Sequence, residues 1–186
     1  MLADMETLLI CYASRDGQAA KIAERVAAGC TGGVVLRCDL RRHQPDAAEL
    51  ANASAIVVIA AVRYGRHLPE AEHLLQREAA MLQRKPLALV SVNLSARKPG
   101  KDNAGGNVYL GKWLARHRLQ PALAAAFAGR LDYPRYRWFD RLMIRMIMAM
   151  SGGPTDPATV VEYTDWTAVD RFATLVGRLG AQRPRM

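Results

Sequence analysis

Short apolar runs recur along this chain, and no other feature limits the possible folds as strongly. They cover residues 8–13, 34–38, 56–62, 87–92 and 123–128. Residues 18–28, 69–82 and 108–117 lie between them and have the apolar spacing of amphipathic helices. A final helix is predicted to begin near Asp165 and to end at Gly180. Buried strands that alternate with helices predict an α/β fold with a doubly wound, five-stranded parallel sheet.

The size and composition of the chain agree with one folded unit. Its 186 residues fit a single domain over residues 1–186, and 51% hydrophobic with 23% charged residues is ordinary for a globular protein. The net charge of +9 predicts attraction to phosphate, nucleic acid, anionic lipid or a polycarboxylate substrate. Charge alone does not choose among these partners.

Two further observations bear on the cellular location. Cys11, Cys30 and Cys38 are odd in number and lack the spacing of a redox or zinc motif, which predicts reduced, packed thiols. Asp4 and Glu6 stand where a signal peptide carries basic residues, and no window reaches the ~18 apolar residues of a membrane-spanning helix. We therefore expect a cytoplasmic protein without a signal peptide or a transmembrane helix.

The segment after the first predicted strand has the features of a phosphate-binding loop. Ser14 offers a hydroxyl group, Gly17 a flexible backbone and Gln18 an amide, and a helix begins directly afterwards. The free N–H groups at a helix start bind phosphate, and ligands of doubly wound sheets lie at the carboxyl ends of the strands. An ordinary strand-to-helix turn with a capping residue is the alternative interpretation.

The loops after the third and fourth predicted strands add a site for a planar ring. Tyr64 offers an aromatic face, and Gly65 permits close approach of the backbone. Asn93 follows the fourth strand, with the basic Arg97 and Lys98 nearby. A phosphate loop beside a stacking residue favours a mononucleotide with a large ring, and FMN fits this description. A surface tyrosine without a ligand is the alternative for Tyr64.

Other chemistries are disfavoured by individual residues. A phospho-acceptor receiver domain needs an aspartate at the end of the third strand, where this chain has residues 61–63, Ala-Val-Arg. Residues 106–112 imitate a Walker A loop, but Trp113 replaces the hydroxyl group that binds Mg²⁺. Among the histidines, only His67 and His73 have a spacing that suits a metal. We interpret each histidine as a lone surface residue and predict no metal site.

Residues 131–159 form a long insertion between the fifth strand and the last helix, where a short connection would suffice. A helix from Arg137 would align Arg137, Arg141 and Arg145 on one stripe beside apolar residues, and residues 152–154, Gly-Gly-Pro, would end it. About 14 helical residues rise roughly 21 Å, less than the roughly 30 Å of a bilayer core.

Such a basic, amphipathic helix suits the surface of an anionic membrane, on which it would lie without spanning it. A helix packed on the core or at a contact between subunits is the alternative, so a homo-oligomer stays open. Nucleic acid is not predicted as a partner, because no recognised motif surrounds the arginines.

Several segments together resemble one family. They are ASRDGQ at 13–18, AAVRYGRH at 60–67, VSVNLSARKP at 90–99, the insertion and VEYTDW at 161–166. This pattern resembles the flavodoxin-like, quinone-dependent protoporphyrinogen IX dehydrogenases of bacterial haem synthesis. The resemblance implies a flavodoxin-like fold, FMN as cofactor, oxidation of protoporphyrinogen IX to protoporphyrin IX, and electron transfer to a membrane quinone. It also implies a peripheral location on the inner face of the cell membrane.

The resemblance further assigns residues to the cofactor. The FMN phosphate would be held by Ser14, Arg15, Asp16, Gly17 and Gln18, and the flavin would lie beside Arg63, Tyr64, Gly65, Ser91, Val92, Asn93, Leu94 and Ser95. Ala19 stands where flavodoxin-type loops usually continue with a threonine, so weaker FMN binding is expected.

The substrate is expected to be held by its propionates, for which Arg97, Arg135 and Arg137 are candidates. The family pattern identifies no catalytic residues. Two alternatives remain: a general NAD(P)H:quinone oxidoreductase and a flavin electron carrier. Carriers of this fold are typically acidic, so the charge of +9 counts against the second alternative.

Overall fold

The computed structural model describes residues 6–180, and its strands follow the apolar runs closely. The strands are β1 (Thr7–Ala13), β2 (Val34–Asp39), β3 (Ala55–Arg63), β4 (Arg66–His67), β5 (Leu87–Val92), β6 (Leu123–Phe127), β7 (Arg130–Asp132) and β8 (Val160–Glu162). The five predicted strands are β1, β2, β3, β5 and β6. They pair in parallel in the order β2-β1-β3-β5-β6, which confirms the predicted flavodoxin-like fold.

The helices are α1 (Gln18–Gly29), α2 (Ala47–Asn52), α3 (Pro69–Arg77), α4 (Ala79–Leu82), α5 (Val108–His117), α6 (Trp138–Met150) and α7 (Trp166–Gly180). The single helix predicted for 69–82 is wrong, because the backbone leaves the helical conformation at Glu78. Arg77 donates to the Pro45 carbonyl and to Glu78 at this break, contacts that periodicity does not reveal. Helix α2 is too short for a periodic signal and is held by a capping box of Asp46 and Glu49.

The two faces of the sheet carry separate apolar cores, because successive side chains of a strand point to opposite faces. On one face Leu9 of β1 packs with Leu74 of α3 and Leu110 of α5. On the other face Ile10 packs with Ile22 of α1 and Val169 of α7. Helices therefore cover both faces, and the carboxyl ends of the strands remain for a ligand.

The insertion is folded around a small core of its own. Its ends pair as the antiparallel strands β7 and β8, which were not predicted because each has only three residues. Leu131, Tyr133, Tyr136 and Met148 are buried together between these strands and α6. The predicted helix is confirmed, and it ends before Gly152, which has a φ of 70°.

Within residues 6–180, no helix combines the length and the apolar character needed to cross a bilayer. Asp4, one of the residues behind the expectation about export, lies outside the described residues. Cys11, Cys30 and Cys38 are free thiols, and Cys11 and Cys38 are buried.

Candidate functional site

The predicted phosphate loop lies between the end of β1 and the start of α1. Ser14 is 8% exposed, and its hydroxyl oxygen is buried without a hydrogen-bond partner among residues 6–180. A buried hydroxyl group costs free energy unless it is paired. Gly17 has a φ of 91° and open space around the position of a Cβ atom. Both features leave room for a hydrogen-bonding ligand at this loop.

Helix α1 begins directly at this loop. Its first turn contains no acidic residue, and no side chain caps it. The first N–H groups of a helix have no partner within the helix and carry its positive dipole end. The side-chain amide of Gln18 is engaged elsewhere, since Nε2 donates to Thr164 Oγ1 at 2.9 Å. Gln18 can therefore serve a phosphate through its backbone N–H group rather than its side chain.

The neighbouring charged residues tie the loop to other elements. Arg15 pairs with Glu70 of α3 at 3.4 Å, and Asp16 pairs with Arg63 at the end of β3 at 3.4 Å. The cofactor residues predicted in the first and second loops are thus brought together, with Ser14, Asp16 and Arg63 around one end of the sheet. These assignments to the cofactor remain predictions.

The second predicted loop is a tight hairpin turn between β3 and the short strand β4. Tyr64 and Gly65 have φ values of 51° and 77°, as in a type I′ turn. A tyrosine rarely adopts a positive φ, and here the side chain is held from outside the turn, because its hydroxyl group donates to Asp140 of α6. Its ring is exposed, with 63% of the residue accessible.

Asp140 joins the insertion to this turn. It is 7% exposed and also accepts a hydrogen bond from Arg63 at 2.6 Å. The hydrogen bond from Tyr64 and then the charge of Arg63 hold the pKa of Asp140 below its usual range, although burial opposes them. Asp140 was not predicted as a site residue, since its partners lie more than 70 residues away along the chain.

The third loop, after β5, is built on a buried polar network. Ser91 is fully buried and Asn93 is 5% exposed. Asn93 Nδ2 donates to Ser91 Oγ at 2.9 Å, and Ser95 Oγ donates to Asn93 Oδ1 at 2.6 Å. Asn107, the cap of α5, donates to Asn93 Oδ1 at 3.1 Å. These contacts fix the path of the backbone over residues 91–95.

The network limits what the predicted residues of this loop can offer a flavin. The side chain of Val92 is buried in the apolar core, and Leu94 packs against the core of the insertion. Ser91 and Asn93 direct their side chains to each other. A cofactor beside this loop would therefore contact mainly its backbone atoms.

His67 contradicts the interpretation of the histidines as surface residues. It is 5% exposed, stacks on Trp113 at a centroid distance of 3.9 Å, and its Nε2 lies 2.8 Å from Ser91 Oγ. Burial, followed by the charges of Arg116 and His117, lowers the pKa of His67 to about 3. His67 is neutral at physiological pH and supports the Ser91–Asn93 network. No group of three metal-ligating side chains occurs in residues 6–180.

The three candidate substrate arginines are not brought together. Arg97 donates to Ser151 Oγ at 3.0 Å and to the Leu94 carbonyl, so it fastens the end of α6 to the third loop. Arg137 lies at the other end of α6. The rise of the 13 residues of this helix separates the two ends by roughly 20 Å. Arg135 and Arg137 are exposed. Their role in substrate binding remains a prediction.

Comparisons with known proteins show the family of the chain. Residues 9–158 match the family described as flavodoxin domain. Protoporphyrinogen IX dehydrogenase (quinone) of Escherichia coli (strain K12) is 38% identical over 176 residues, which covers 94% of this chain and 96% of the relative. The chain belongs to this dehydrogenase family. A protein of the same name from Leishmania major is 36% identical over 89% of this chain and 72% of the relative.

Solved structures agree with the family at the level of the fold. Oxidised Flavodoxin 1 from Bacillus cereus superposes with a TM-score of 0.56 at 14% identity, covering 93% of this chain and 98% of that chain. Membership of this flavodoxin-like dehydrogenase family, together with the open loop at Ser14 and Gly17, supports binding of a flavin. In this dehydrogenase family member, the insertion contacts the loops after β3 and β5, through Asp140 and through Arg97.

Proposed function

We propose that this chain oxidises protoporphyrinogen IX to protoporphyrin IX with FMN as its cofactor and passes the electrons to a membrane quinone. One observation carries the proposal: relatives named for this reaction are 38% identical over 94% of the chain. A match of this length includes the insertion at residues 131–159. The similarity to these relatives therefore extends beyond the sheet and the loop after β1.

The chain's own residues support FMN at the carboxyl ends of β1, β3 and β5. Ser14 Oγ would donate to the phosphate, and the backbone N–H groups of residues 15–18 would complete its binding. The turn at Tyr64 and the backbone of residues 91–95 would lie beside the ring system. When bound, the flavin supplies the electron-accepting group for the dehydrogenation.

The protein would contribute to the reaction by orienting the reacting groups and by shielding the site. Asp140 holds Tyr64 and Arg63 in fixed positions, and the buried Ser91–Asn93–Asn107 network holds the opposite loop. Rigid support of this kind keeps reacting groups in a productive geometry. Helix α6, which is joined to both loops, would cover the site from one side.

Replacing Ser14 with alanine tests the phosphate assignment. The variant is expected to bind FMN roughly tenfold more weakly, because a hydrogen bond to a charged group contributes about 1.5–3 kcal/mol. Binding of riboflavin, which has no phosphate, should not change. Both dissociation constants can be measured from the quenching of flavin fluorescence. Equal losses for FMN and riboflavin, or no loss for either, would contradict the assignment.

The reaction itself is tested under anaerobic conditions. Protein loaded with FMN is mixed with protoporphyrinogen IX in one experiment and with NADPH in another, and the flavin absorbance is followed. Bleaching by the porphyrinogen, and multiple turnovers after a quinone is added, are expected. Bleaching by NADPH alone would favour the general NAD(P)H:quinone oxidoreductase. A protein that fails to take up FMN at saturating concentration would overturn both.

The proposal includes a peripheral position on an anionic membrane, where the quinone lies. The support is the outer face of α6, on which Trp138, Leu142, Met146 and Met150 are 77%, 57%, 52% and 84% exposed. Large apolar residues grouped on one exposed face usually mark an interaction surface. The exposed Arg135 and Arg137 stand at the start of this helix and would contact anionic headgroups.

Two arginines of the predicted stripe also stabilise the insertion itself. Arg141 Nε donates to the Tyr133 carbonyl at 3.1 Å, and Arg145 Nε donates to the Thr155 carbonyl at 2.8 Å. Both side chains hold the insertion's own turns together. Arg141 and Arg145 are thus only partly exposed and are engaged within the insertion, so the exposed apolar face of α6 gives the main support for membrane contact.

A further inference from the structure

A cleft lies beside the cofactor loops, on the side of α3 and α5. Its volume is about 630 Å³, and Arg15, Arg63, Tyr64, Arg66, Glu72 and Arg116 are among its lining residues. This volume is within the roughly 300–1,000 Å³ of pockets that hold ligands of the size of drugs and cofactors. The cleft is therefore large enough for a compact organic molecule.

The lining of the cleft has a strong excess of positive charge. Four arginines face one carboxylate, that of Glu72. The carboxylate of Glu72 accepts hydrogen bonds from Arg116 and from His117, each at 2.5 Å. This single carboxylate is therefore shared between two partners. Arg15 and Arg63 have acidic partners of their own in Glu70 and Asp140.

Arg66 differs from the other three arginines. Its side chain is exposed, and its guanidinium group forms no ion pair or hydrogen bond with any residue between 6 and 180. It stands on β4, directly after the hairpin turn, where the pairing of Arg63 with Arg66 holds the backbone. An arginine whose backbone is fixed and whose guanidinium group is unpaired suits bidentate binding of a carboxylate.

Apolar surface accompanies the charges. Leu68 and Pro69 line the cleft, and the exposed ring of Tyr64 lies at its edge. A ligand that combines a flat apolar body with carboxylates would satisfy both kinds of surface. Phosphate or another small inorganic anion would make no contact with the apolar surface of the cleft.

We propose that this cleft binds the carboxylates of a porphyrin-type dicarboxylate, with Arg66 and Arg116 as the main contacts. The inference rests on the proposed function, because it names the subsite that holds the substrate. The cleft includes Arg15 of the phosphate loop and Tyr64 of the turn after β3, so a ligand in it would extend to the cofactor loops. Arg97, Arg135 and Arg137 would then not hold the propionates.

The test uses binding rather than turnover, so that its failure is distinct from failure of the proposed function. Protoporphyrin IX and its dimethyl ester are titrated into the FMN-loaded protein, and binding is followed by porphyrin fluorescence. The diacid is expected to bind more tightly than the ester. Arg66→Gln and Arg116→Gln are each expected to weaken diacid binding roughly tenfold, the effect of losing about 1.4 kcal/mol or more of charge-assisted hydrogen bonding, and to leave ester binding unchanged.

Two further variants separate this site from a general loss of structure. Glu72→Gln removes the one competing carboxylate and is expected to tighten diacid binding, a gain that damage to the fold cannot produce. Arg84→Gln is the matched control, because Arg84 is exposed and lies just before the amino end of β5, at the opposite end of the sheet. It should bind both porphyrins as the original chain does.

Several results would overturn the proposal. Equal affinity for the diacid and the ester would show that the carboxylates are not recognised. Unchanged diacid binding in Arg66→Gln and Arg116→Gln, or a loss seen instead in Arg135→Gln and Arg137→Gln, would move the carboxylate site elsewhere. FMN binding and the melting temperature of each variant show whether it is folded. Porphyrinogen oxidation by the original chain remains a separate measurement.

Discussion

A chain in which Trp138, Leu142, Met146 and Met150 are replaced with glutamine is expected to bind anionic lipid vesicles at least roughly a hundredfold more weakly than the original chain. Full burial of one such side chain contributes about 1.5–3 kcal/mol, and a hundredfold change needs only about 2.7 kcal/mol. All four are more than half exposed on the outer face of α6. Flotation of the protein with vesicles of phosphatidylglycerol and phosphatidylcholine measures the effect.

The control for this experiment changes exposed apolar residues elsewhere. Val108 on α5 and Leu175 on α7 are 59% and 45% exposed and lie outside the insertion. Their replacement with glutamine should leave vesicle binding unchanged. Unchanged binding in the α6 variant would contradict the membrane position. If that variant instead converts a dimer to a monomer, the face is covered by a second copy of the chain.

Acidification is expected to destabilise the protein through His67. The pKa of His67 is lowered from 6.5 to about 3 in the folded chain, so below pH 6.5 the unfolded chain binds a proton that the folded chain does not. The contribution of His67 to stability is complete above pH 6.5 and is lost progressively as the pH falls toward 3. At pH 5 the loss amounts to about 2 kcal/mol, since one pKa unit corresponds to about 1.4 kcal/mol.

Urea unfolding at pH 7 and pH 5 measures this loss, and His67→Gln isolates it. The variant is less stable than the original chain at pH 7, but its stability should fall by roughly 2 kcal/mol less between the two pH values. His73→Gln is the matched control, because His73 is exposed on α3. The same pH dependence in the original chain and in His67→Gln would contradict the assignment.

Protonation of His67 has a functional consequence as well. Neutral His67 can accept a hydrogen bond from Ser91 Oγ, which itself accepts from Asn93. A protonated imidazole has only donors, so the Ser91 hydroxyl group would lose the acceptor for its own proton. In the folded chain this protonation occurs only near pH 3, so the third loop is expected to loosen and FMN affinity to fall near that pH, below the range in which stability first declines.

The sheet could be predicted from the sequence because its signal is local. The five apolar runs end within one residue of the observed parallel strands, and Asp165 caps α7 through a hydrogen bond to the Ala168 N–H group. Strands and helices of this length repeat their apolar residues within a short window. The small strands β4, β7 and β8 have two or three residues each, too few to show a period.

In the insertion, local sequence patterns were insufficient to predict the contacts of the side chains. Its helix and the glycine that ends it were predicted, since both depend on neighbouring residues. The hydrogen bonds from Arg141 and Arg145 to carbonyl groups of their own insertion were not predicted, because the acceptors lie in turns outside the helix. An arginine stripe has the same sequence pattern whether its guanidinium groups are free in solvent or bind backbone carbonyl groups.

The sequence by itself determined the flavodoxin-like sheet, the position of the loop at Ser14 and Gly17 between β1 and α1, and the family to which the chain belongs. Only the tertiary structure decided that His67 is a buried support, that Asp140 joins the insertion to Tyr64, and that Arg66 and Arg116 share a cleft. The physical reason is distance along the chain. Strands, caps and loops are fixed by neighbouring residues, whereas these contacts join residues from 24 to 77 positions apart, and their free energy depends on burial that only the folded chain creates.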